Sequence, residues 1–295
     1  MTTAEKAALL DRLLSAVAPS SRSYFRRFSR AFLDWVEDRD LDAAAVRGWM
    51  EHLKKRRYPY ADGTLHQAWA VVRRLFIINK LEWPFHRGEA PIIREQQVFA
   101  PRLDPLAISA LVDIVRGKRL PEGERKADSR HKALLCLSSV WGFRREEMAA
   151  MTPDFLDLKN GLLFVETVKR GRQRYHILPV FLVPPLQEWG FETPLSPATI
   201  SGIFTDLKAM LGYSEREVGW HSIRRAAIKE AYAFANEPQI HTFYRWKRST
   251  SNMPLRYAMS PMVGPGVAVE RDIGQADREV DELFYAHHPF VEYWR

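Results

Sequence analysis

Only one stretch of this sequence, residues 155–178, carries the patterning of β-strands. It contains three short apolar or alternating runs, Phe155–Leu158, Leu162–Val168 and Tyr175–Leu178. The turn-like segments 159–161 and 169–172 separate these runs, which predicts a small three-stranded antiparallel sheet. Almost everywhere else the apolar residues recur at helical spacing. We therefore predict a mainly α-helical fold that carries one small sheet.

The first 80 residues predict a helical domain of their own. Helical spacing indicates four helices in this region. The first covers residues 3–17, and the second runs from Ser20 or Ser21 to Trp35. The third starts within 40–44 and ends at Leu53, and the fourth runs from Thr64, its predicted N-cap, to Ile77. Prolines then interrupt all periodicity over residues 84–105, which we interpret as an extended linker. The predicted boundaries are a first domain over 1–98 and a second over 104–295.

Basic residues are concentrated in the first domain. Residues 1–98 hold 17 Lys and Arg against 12 Asp and Glu, so five of the eight net positive charges lie there. One cluster interleaves with aromatic residues on the second helix and another ends the third helix; together they comprise Arg22, Arg26, Arg27, Arg30, Lys54, Lys55, Arg56 and Arg57. An ordinary amphipathic helix also has a solvated face of this kind. Because nucleic acid is the commonest polyanionic partner, we treat these residues as candidate DNA contacts.

The composition excludes several kinds of site. The single cysteine, Cys136, lies in an apolar run, which rules out an internal disulfide and a cysteine-rich zinc site and predicts a buried thiol. His287 and His288 are adjacent and do not converge on one ion, and no glycine-rich phosphate loop occurs. We therefore expect neither a metal nor a cofactor. With a charged N-terminus and no apolar run of about 18 residues, we expect an intracellular protein without signal peptide or membrane span.

The second domain contains a spaced set of cations. His221 and Arg224 stand three positions apart where a helix over 226–235 is about to begin, so they share a face beside an end that favours anions. Arg144 follows Gly142, a predicted helix C-cap. The second turn of the sheet adds a basic tip made of Lys169, Arg170, Arg172 and Arg174.

These residue types suit chemistry at a phosphate. Two guanidinium groups can each hold phosphate oxygens through paired hydrogen bonds and stabilise the extra charge of a pentavalent transition state. A lysine can protonate a leaving oxygen, and a histidine can accept a proton from a nucleophile. With no reactive cysteine and no metal expected, a tyrosine is the natural nucleophile.

The order of these motifs resembles that of the tyrosine recombinases, also called phage integrases, of the Cre and Xer kind. The resemblance covers roughly residues 5–258. It is carried by Gly142-Phe143-Arg144 with Glu147-Met148, Lys169 in a β-turn, His221-x-x-Arg224, Trp246 and Tyr257. The helical first domain is similar to the core-binding domain of that family, and the second to its catalytic domain.

Position by position, the resemblance implies a role for each residue. Arg144 and Arg224 match the two arginines that clamp the phosphate, and Glu147 matches the acidic residue that braces them. Lys169 matches the general acid of the β-hairpin, and His221 matches the histidine that transfers a proton.

The last two positions follow the His221 motif. Trp246 matches the residue that packs against the scissile phosphate, and Tyr257 matches the nucleophile. The interval between them is longer than is usual, and Met253-Pro254 replaces small polar residues there. Arg170 and Arg172 are alternatives to Lys169, because all three lie on one turn.

The resemblance implies a site-specific DNA recombinase that works through a 3′-phosphotyrosyl intermediate without a cofactor, in integration and excision or in resolution. Its implied partners are a double-stranded DNA target site, a homotetramer on two such sites and accessory DNA-bending proteins, with no membrane. The implied location is the cytoplasmic nucleoid, or the nucleus in a eukaryote. The alternatives are a non-catalytic DNA-binding protein of the same fold and an enzyme similar to type IB topoisomerases.

The end of the chain allows two interpretations. The residues after Tyr257 include several large apolar side chains, Leu283, Phe284, Tyr285, Phe290, Tyr293 and Trp294. They either pack into a neighbouring subunit, as the resemblance implies, or fold onto their own domain.

Overall fold

The fold of the protein is known from a computed structural model. It describes residues 1–37, 39–57, 59–60, 62–86, 102–122, 126–167, 172–213, 218–246 and 273–295. The chain forms two units, Met1–Phe99 and Ala100–Arg295. In the described parts, no helix is both long and apolar enough to cross a membrane.

The described residues of the first unit form four α-helices: α1 (Thr3–Ser15), α2 (Arg22–Val36), α3 (Ala43–Lys55) and α4 (Asp62–Ile78). The Asp42 side chain caps α3 by accepting a hydrogen bond from the backbone N–H of Ala45 at 2.8 Å. The prediction that Thr64 caps α4 is wrong. This helix begins at Asp62, so Thr64 lies within its first turn. The carboxylate of Asp62 is stabilised there by the positive end of the helix dipole.

The core of the first unit is aromatic. Phe32 lies between Trp49 and Phe76, with ring centroids 5.3 and 6.4 Å apart, and all three side chains are buried. Because the apolar stripe of α2 faces this core, its arginines are directed outwards, as the amphipathic pattern predicted.

The second unit has nine described helices and one sheet. The helices are α5 (Pro105–Val115), α6 (Ser129–Trp141), α7 (Arg145–Ala149), α8 (Val183–Gln187), α9 (Pro197–Met210), α10 (Trp220–Ala231), α11 (Glu237–Phe243), α12 (Gln275–His287) and α13 (Pro289–Glu292). Within the described residues, the sheet is antiparallel in the order β1 (Leu156–Asp157), β2 (Leu162–Val165) and β3 (Arg174–Ile177). The predicted three-stranded sheet and mainly helical fold are confirmed.

Two boundaries differ from the prediction in a way that matters for the site. The helix expected over 226–235 begins at Trp220 and ends at Ala231, so His221 and Arg224 lie within its first turns. The Ser222 side chain fixes this start by accepting a hydrogen bond from the Gly219 N–H at 3.2 Å.

Arg174 was predicted to lie on a basic tip, and this is wrong. Its side chain is buried, and Nη2 donates to Asp281 Oδ1 on α12 at 2.7 Å. Asp281 Oδ2 also accepts from the backbone N–H of Ile177 at 2.8 Å. A buried charge is stable only when paired and hydrogen-bonded, so this pair anchors β3 to α12.

The described part of the C-terminal segment, residues 273–295, packs on its own unit. Phe284 stacks on Phe243 with ring centroids 3.8 Å apart and planes 6° apart. The indole Nε1–H of Trp294 donates to Ser139 Oγ at 3.0 Å. Of the two interpretations left open by the sequence, folding onto the same domain holds for these residues.

His288 ties this segment to α10 in its neutral form. Its Nε2–H donates to Ala227 O at 2.9 Å, and its Nδ1 accepts from the backbone N–H of Phe290 at 3.1 Å. A second proton would have to enter at Nδ1, which already faces a donor. Burial lowers the pKa of His288 to about 4.

We expect the His288→Gln variant to lose less stability in acid than the wild type does. The pKa of His288 is near 6.5 in the unfolded chain and about 4 in the folded chain. At pH values between these two, His288 binds a proton in the unfolded chain but not in the folded chain. His288 therefore destabilises the fold as pH falls, by ~2 kcal/mol between pH 7 and pH 5. Urea unfolding of both proteins at these two pH values isolates this contribution, because all other groups are shared. Equal losses in both proteins would contradict it.

Candidate functional site

Gly142 is the point around which the site is built. It ends α6 in the left-handed conformation, with φ +59°, which confirms the predicted C-cap. A Cβ at this position would lie 2.8 Å from the Tyr244 ring and 3.4 Å from Arg224 Cγ. Only glycine therefore lets the chain reverse here and start α7 at Arg145, with Arg144 as its first flanking residue.

Arg144 and Glu147 form a close pair at the start of α7. Arg144 Nη1 donates to Glu147 Oε1 at 2.5 Å, and its backbone N–H donates to Glu147 Oε2 at 2.8 Å. The Glu147 side chain is fully buried, whereas 18% of the Arg144 side chain is exposed. Burial acts to raise the pKa of Glu147, but Arg245 and Arg144 hold it below its ordinary value. Glu147 is thus an ionised brace, and Arg144 is the member of the pair that solvent can reach.

Arg224 is buried on α10 and spans two backbone carbonyls. Its Nη1 donates to Gly142 O and its Nη2 donates to Tyr244 O at 3.1 Å. Burial, aided by the neighbouring arginines, lowers the pKa of Arg224 to about 9, which still leaves it protonated at neutral pH. Its planar group is therefore fixed in one orientation, as a bidentate anion ligand requires.

His221 lies one turn before Arg224 and is exposed. It lines an open pocket of about 640 Å³ together with Arg144. The other lining residues are Arg145, Glu146, Ser201, Phe204, Thr205, Lys208, Val218, Gly219 and Trp220. The indole of Trp220 fixes this helix start, because its Nε1–H donates to Ile200 O at 2.8 Å. The pocket thus brings a histidine and an arginine to one concave, cationic surface at a helix N-terminus.

Trp246 completes the group of described residues. It is half-buried, and its ring centroid lies 6.0 Å from the guanidinium carbon of Arg224. The His241 ring packs edge-on against the Trp246 ring, with the ring centroids 5.0 Å apart. The backbone N–H of Trp246 donates to His241 O at 2.9 Å.

The structure therefore brings together five of the predicted site residues, Arg144, Glu147, His221, Arg224 and Trp246. Lys169, Arg170 and Tyr257 lie outside the described residues. No group of three or more His, Cys, Asp or Glu suited to a metal ion occurs in the described ranges.

Arg172 was predicted to contact DNA, and the structure gives it a partner within the protein. Its Nη2 donates to Asp277 Oδ2 on α12 at 2.8 Å, and its side chain remains 44% exposed. Its backbone N–H donates to Arg245 O at 3.1 Å, which connects the residues leading into β3 to those before Trp246.

The candidate DNA contacts of the first unit are solvent-exposed; they are Arg22, Arg26, Arg27, Arg30, Lys54, Lys55, Arg56 and Arg57. Several of them already have partners within the protein. Arg27 Nη2 donates to Tyr60 Oη at 2.8 Å, and Lys54 Nζ donates to Glu51 Oε1 at 2.9 Å. Exposed pairs of this kind contribute little to stability and can be exchanged for a phosphate.

Sequence reasoning missed Arg245, which is fully buried beside the site. Its Nη2 donates to Glu147 Oε2 at 3.2 Å, so that Glu147 has two arginine partners. The available signal was a single charge in the otherwise uncharged run Phe243-Tyr244-Arg245-Trp246, directly before a predicted site residue.

Comparison with known proteins gives a fold but no close relative. No family model matches the chain, and no curated protein matches it. Among solved structures, it is similar to the Tn1549 transposon integrase in complex with a circular intermediate DNA. That match has a TM-score of 0.64 and 14% identity, and covers 85% of this chain and 94% of the other.

A second similar structure is a lambda integrase dimer bound to a COC′ core site. The TM-score is 0.59 and the identity 16%, over 83% of this chain and 96% of that one. Both matches span the two units described above. At this level of identity they establish the architecture only. The chain has the tyrosine recombinase fold.

Proposed function

We propose that this protein is a site-specific DNA recombinase that cuts and rejoins DNA through a 3′-phosphotyrosyl intermediate. The observation that carries the proposal is the convergence of Arg144, Arg224 and Trp246 around Gly142, with His221 lining the same pocket as Arg144. A fixed pair of guanidiniums beside a histidine is the arrangement that phosphoryl transfer without a metal requires.

The proposed reaction begins with attack by the Tyr257 oxygen on a backbone phosphorus. A bond forms between that oxygen and phosphorus, the bond from phosphorus to the 5′ oxygen breaks, and the 3′ phosphate stays on the protein. His221 accepts the tyrosine proton, and Lys169 gives a proton to the leaving 5′ oxygen. Attack by a 5′-hydroxyl from a second strand reverses each step. No cofactor is consumed, because one phosphoester replaces another.

Arg144 and Arg224 stabilise the charge that develops on the phosphate oxygens. Both are held by protein groups before DNA arrives, Arg144 by Glu147 and Arg224 by two carbonyls. Such preorganisation avoids the cost of reorienting the charges during the reaction. The N-terminal end of α10, the positive end of its helix dipole, lines the same pocket as Arg144.

We further propose that the first unit is a DNA core-binding domain. Its exposed basic residues provide the electrostatic contacts that DNA binding needs. The similar Tn1549 and lambda integrase structures contain DNA, which supports this partner. A tetramer on two sites and accessory DNA-bending proteins complete the proposal.

The test is a covalent-capture experiment on duplexes that the protein itself selects from a randomised DNA pool. Each selected duplex is nicked near the candidate cleavage position, so that the short product diffuses away and the adduct accumulates. We expect a protein–DNA band that survives SDS and boiling, and exchange of strands between two labelled duplexes.

Other outcomes would replace the proposal. Binding without any adduct, on every selected duplex, would indicate a DNA-binding protein of this fold. An adduct together with relaxation of supercoiled plasmid, but without exchange between duplexes, would indicate an enzyme similar to type IB topoisomerases.

A further inference from the structure

Arg245 is an arginine in an unusual position. It is fully buried, and its backbone is left-handed with φ +61°, a conformation that costs free energy for a residue with a side chain. Its guanidinium carbon lies 5.0 Å from the ring centroid of Phe143. Phe143 is the residue between Gly142 and Arg144. A strained and buried charge persists only where its surroundings hold it in place, so its contacts define what it does.

The first contact of Arg245 is with Glu147. Glu147 Oε2 accepts from Arg245 Nη2 at 3.2 Å and from the Arg144 backbone N–H at 2.8 Å, while Oε1 accepts from Arg144 Nη1. Both carboxylate oxygens are therefore occupied, and the rotamer of Glu147 is fixed from two sides. Arg144 in turn is directed by Glu147, since its side chain and backbone both bond to it.

Because Glu147 is shared by Arg144 and Arg245, it also sets the net charge of the site. If Arg144 and Glu147 were alone, the carboxylate would neutralise the guanidinium that faces the pocket. With Arg245 present, one carboxylate serves two guanidiniums, and Arg224 adds a third positive charge nearby. Burial lowers the pKa of Arg245 to about 10, so it keeps its proton at neutral pH. The cluster thus retains positive charge for an anion.

Arg245 is held from its other side by a histidine and a backbone carbonyl. Its Nη1 donates to Trp141 O and to His176 Nε2, each at 3.1 Å. Because Nε2 accepts, the neutral His176 carries its proton on Nδ1, which donates to Asp281 Oδ1 at 3.0 Å. Burial lowers the pKa of His176 well below its ordinary value, which keeps this tautomer neutral. Asp281, His176, Arg245, Glu147 and Arg144 are thus joined in that order by a continuous series of hydrogen bonds, buried except at Arg144.

We propose that Arg245 is a positioning residue of the reaction, a third arginine that acts through Glu147 to orient Arg144 and to leave its charge available to the phosphate. This inference rests on the proposed function. Arg245 does not touch the DNA; it sets the geometry and charge of a residue that does.

The test compares Arg245→Met with the wild type in single-turnover cleavage of nicked duplexes chosen from the randomised pool. We expect cleavage to slow by ~10–100-fold, as when the outer partner that orients a metal ligand is lost. The dissociation constant for DNA should change less than about threefold, because binding is spread over many phosphates. Arg245→Lys keeps the charge and should recover part of the rate.

A double variant separates positioning from a general loss of stability. If Arg245 acts through Glu147, adding Arg245→Met to Glu147→Gln slows cleavage no further than Glu147→Gln alone does. This double variant leaves no unpaired buried charge between the two positions, so it also provides a measurement if the single variant fails to fold.

Arg116→Met is the matched control. Arg116 donates to the main-chain oxygens of Tyr293 and Arg295, but it is the C-cap residue of α5 and is neither part of the pocket lining nor of the hydrogen bonds around Glu147. We expect it to lower the melting temperature without slowing cleavage at a temperature where it is folded.

Two results would overturn the inference while leaving the proposed function intact: wild-type cleavage by folded Arg245→Met, or independent losses in the double variant. Absence of any adduct with the wild-type protein would instead remove the proposed function on which it rests.

Discussion

The substitution Tyr257→Phe abolishes the covalent adduct and leaves DNA binding intact, which is the largest effect we expect from any single substitution. The change removes one oxygen, and without it no phosphotyrosyl bond can form. Binding depends on phosphate contacts spread over both units, so the affinity should change less than about threefold. The measurement pairs covalent capture on nicked duplexes with a gel shift on intact ones.

The other tyrosines provide the controls for this result. Tyr244 lies close to Arg224, whose guanidinium carbon is 5.6 Å from its ring centroid, but it is fully buried and its hydroxyl oxygen lies 3.2 Å from His288 Nε2. Burial raises the pKa of Tyr244 far above its ordinary value, which makes it a poor nucleophile. Tyr232 is 55% exposed on the same unit, so Tyr232→Phe is the matched control and should form the adduct normally. An adduct that persists in Tyr257→Phe would move the nucleophile to a different tyrosine.

The second large effect is expected from Arg224. Alanine at this position removes a guanidinium preorganised for the phosphate, and cleavage should fall by ~10³-fold or more, as when a transition-state donor is lost. Arg224→Lys should recover little of the rate, because an ammonium cannot span the carbonyls of Gly142 and Tyr244 while presenting further donors. Arg144→Ala should behave in the same way as Arg224→Ala. DNA binding should weaken by less than about tenfold in each case.

The controls for Arg224 address folding. Arg224→Ala leaves two buried carbonyls without a donor, which costs ~1–3 kcal/mol each. Melting curves therefore decide the temperature of the assay. Arg130→Ala, at the opposite end of α6 and paired with Asp128 at 2.6 Å, should leave cleavage unchanged. A parallel loss of binding and cleavage in Arg224→Ala would contradict the role assigned to it.

The parts of the fold that the sequence predicted correctly depend on local signals. The three short runs over 156–177 pair as an antiparallel sheet, and only the segments 158–161 and 166–173 connect them, so the pairing is local in sequence. Gly142 was recognisable as a C-cap because it follows a helical run and glycine adopts the left-handed backbone without steric cost. Arg144 and Glu147 are three residues apart on one helical turn, so their pairing also follows from spacing.

What sequence could not predict depends on residues that are far apart in the chain. Arg174 looked like part of a basic tip, yet its partner Asp281 lies 107 residues later. Arg245 pairs with Glu147, 98 residues earlier. A single sequence carries no pattern that joins such positions. Burial of a charge is therefore visible only once the packing of the whole unit is known.

The carbonyls that hold Arg224 have a consequence for how the protein is made. Gly142, Arg224 and Tyr244 come from three separate segments, and Arg245 beside them is held through His176 by Asp281 on α12. A ribosome releases these segments one after another, and the first cannot form the clamp before the last has docked. If the protein is the recombinase proposed above, a chain in which α12 has not yet docked, because it is still being synthesised or has partly unfolded, would lack the preorganised clamp that cleavage needs.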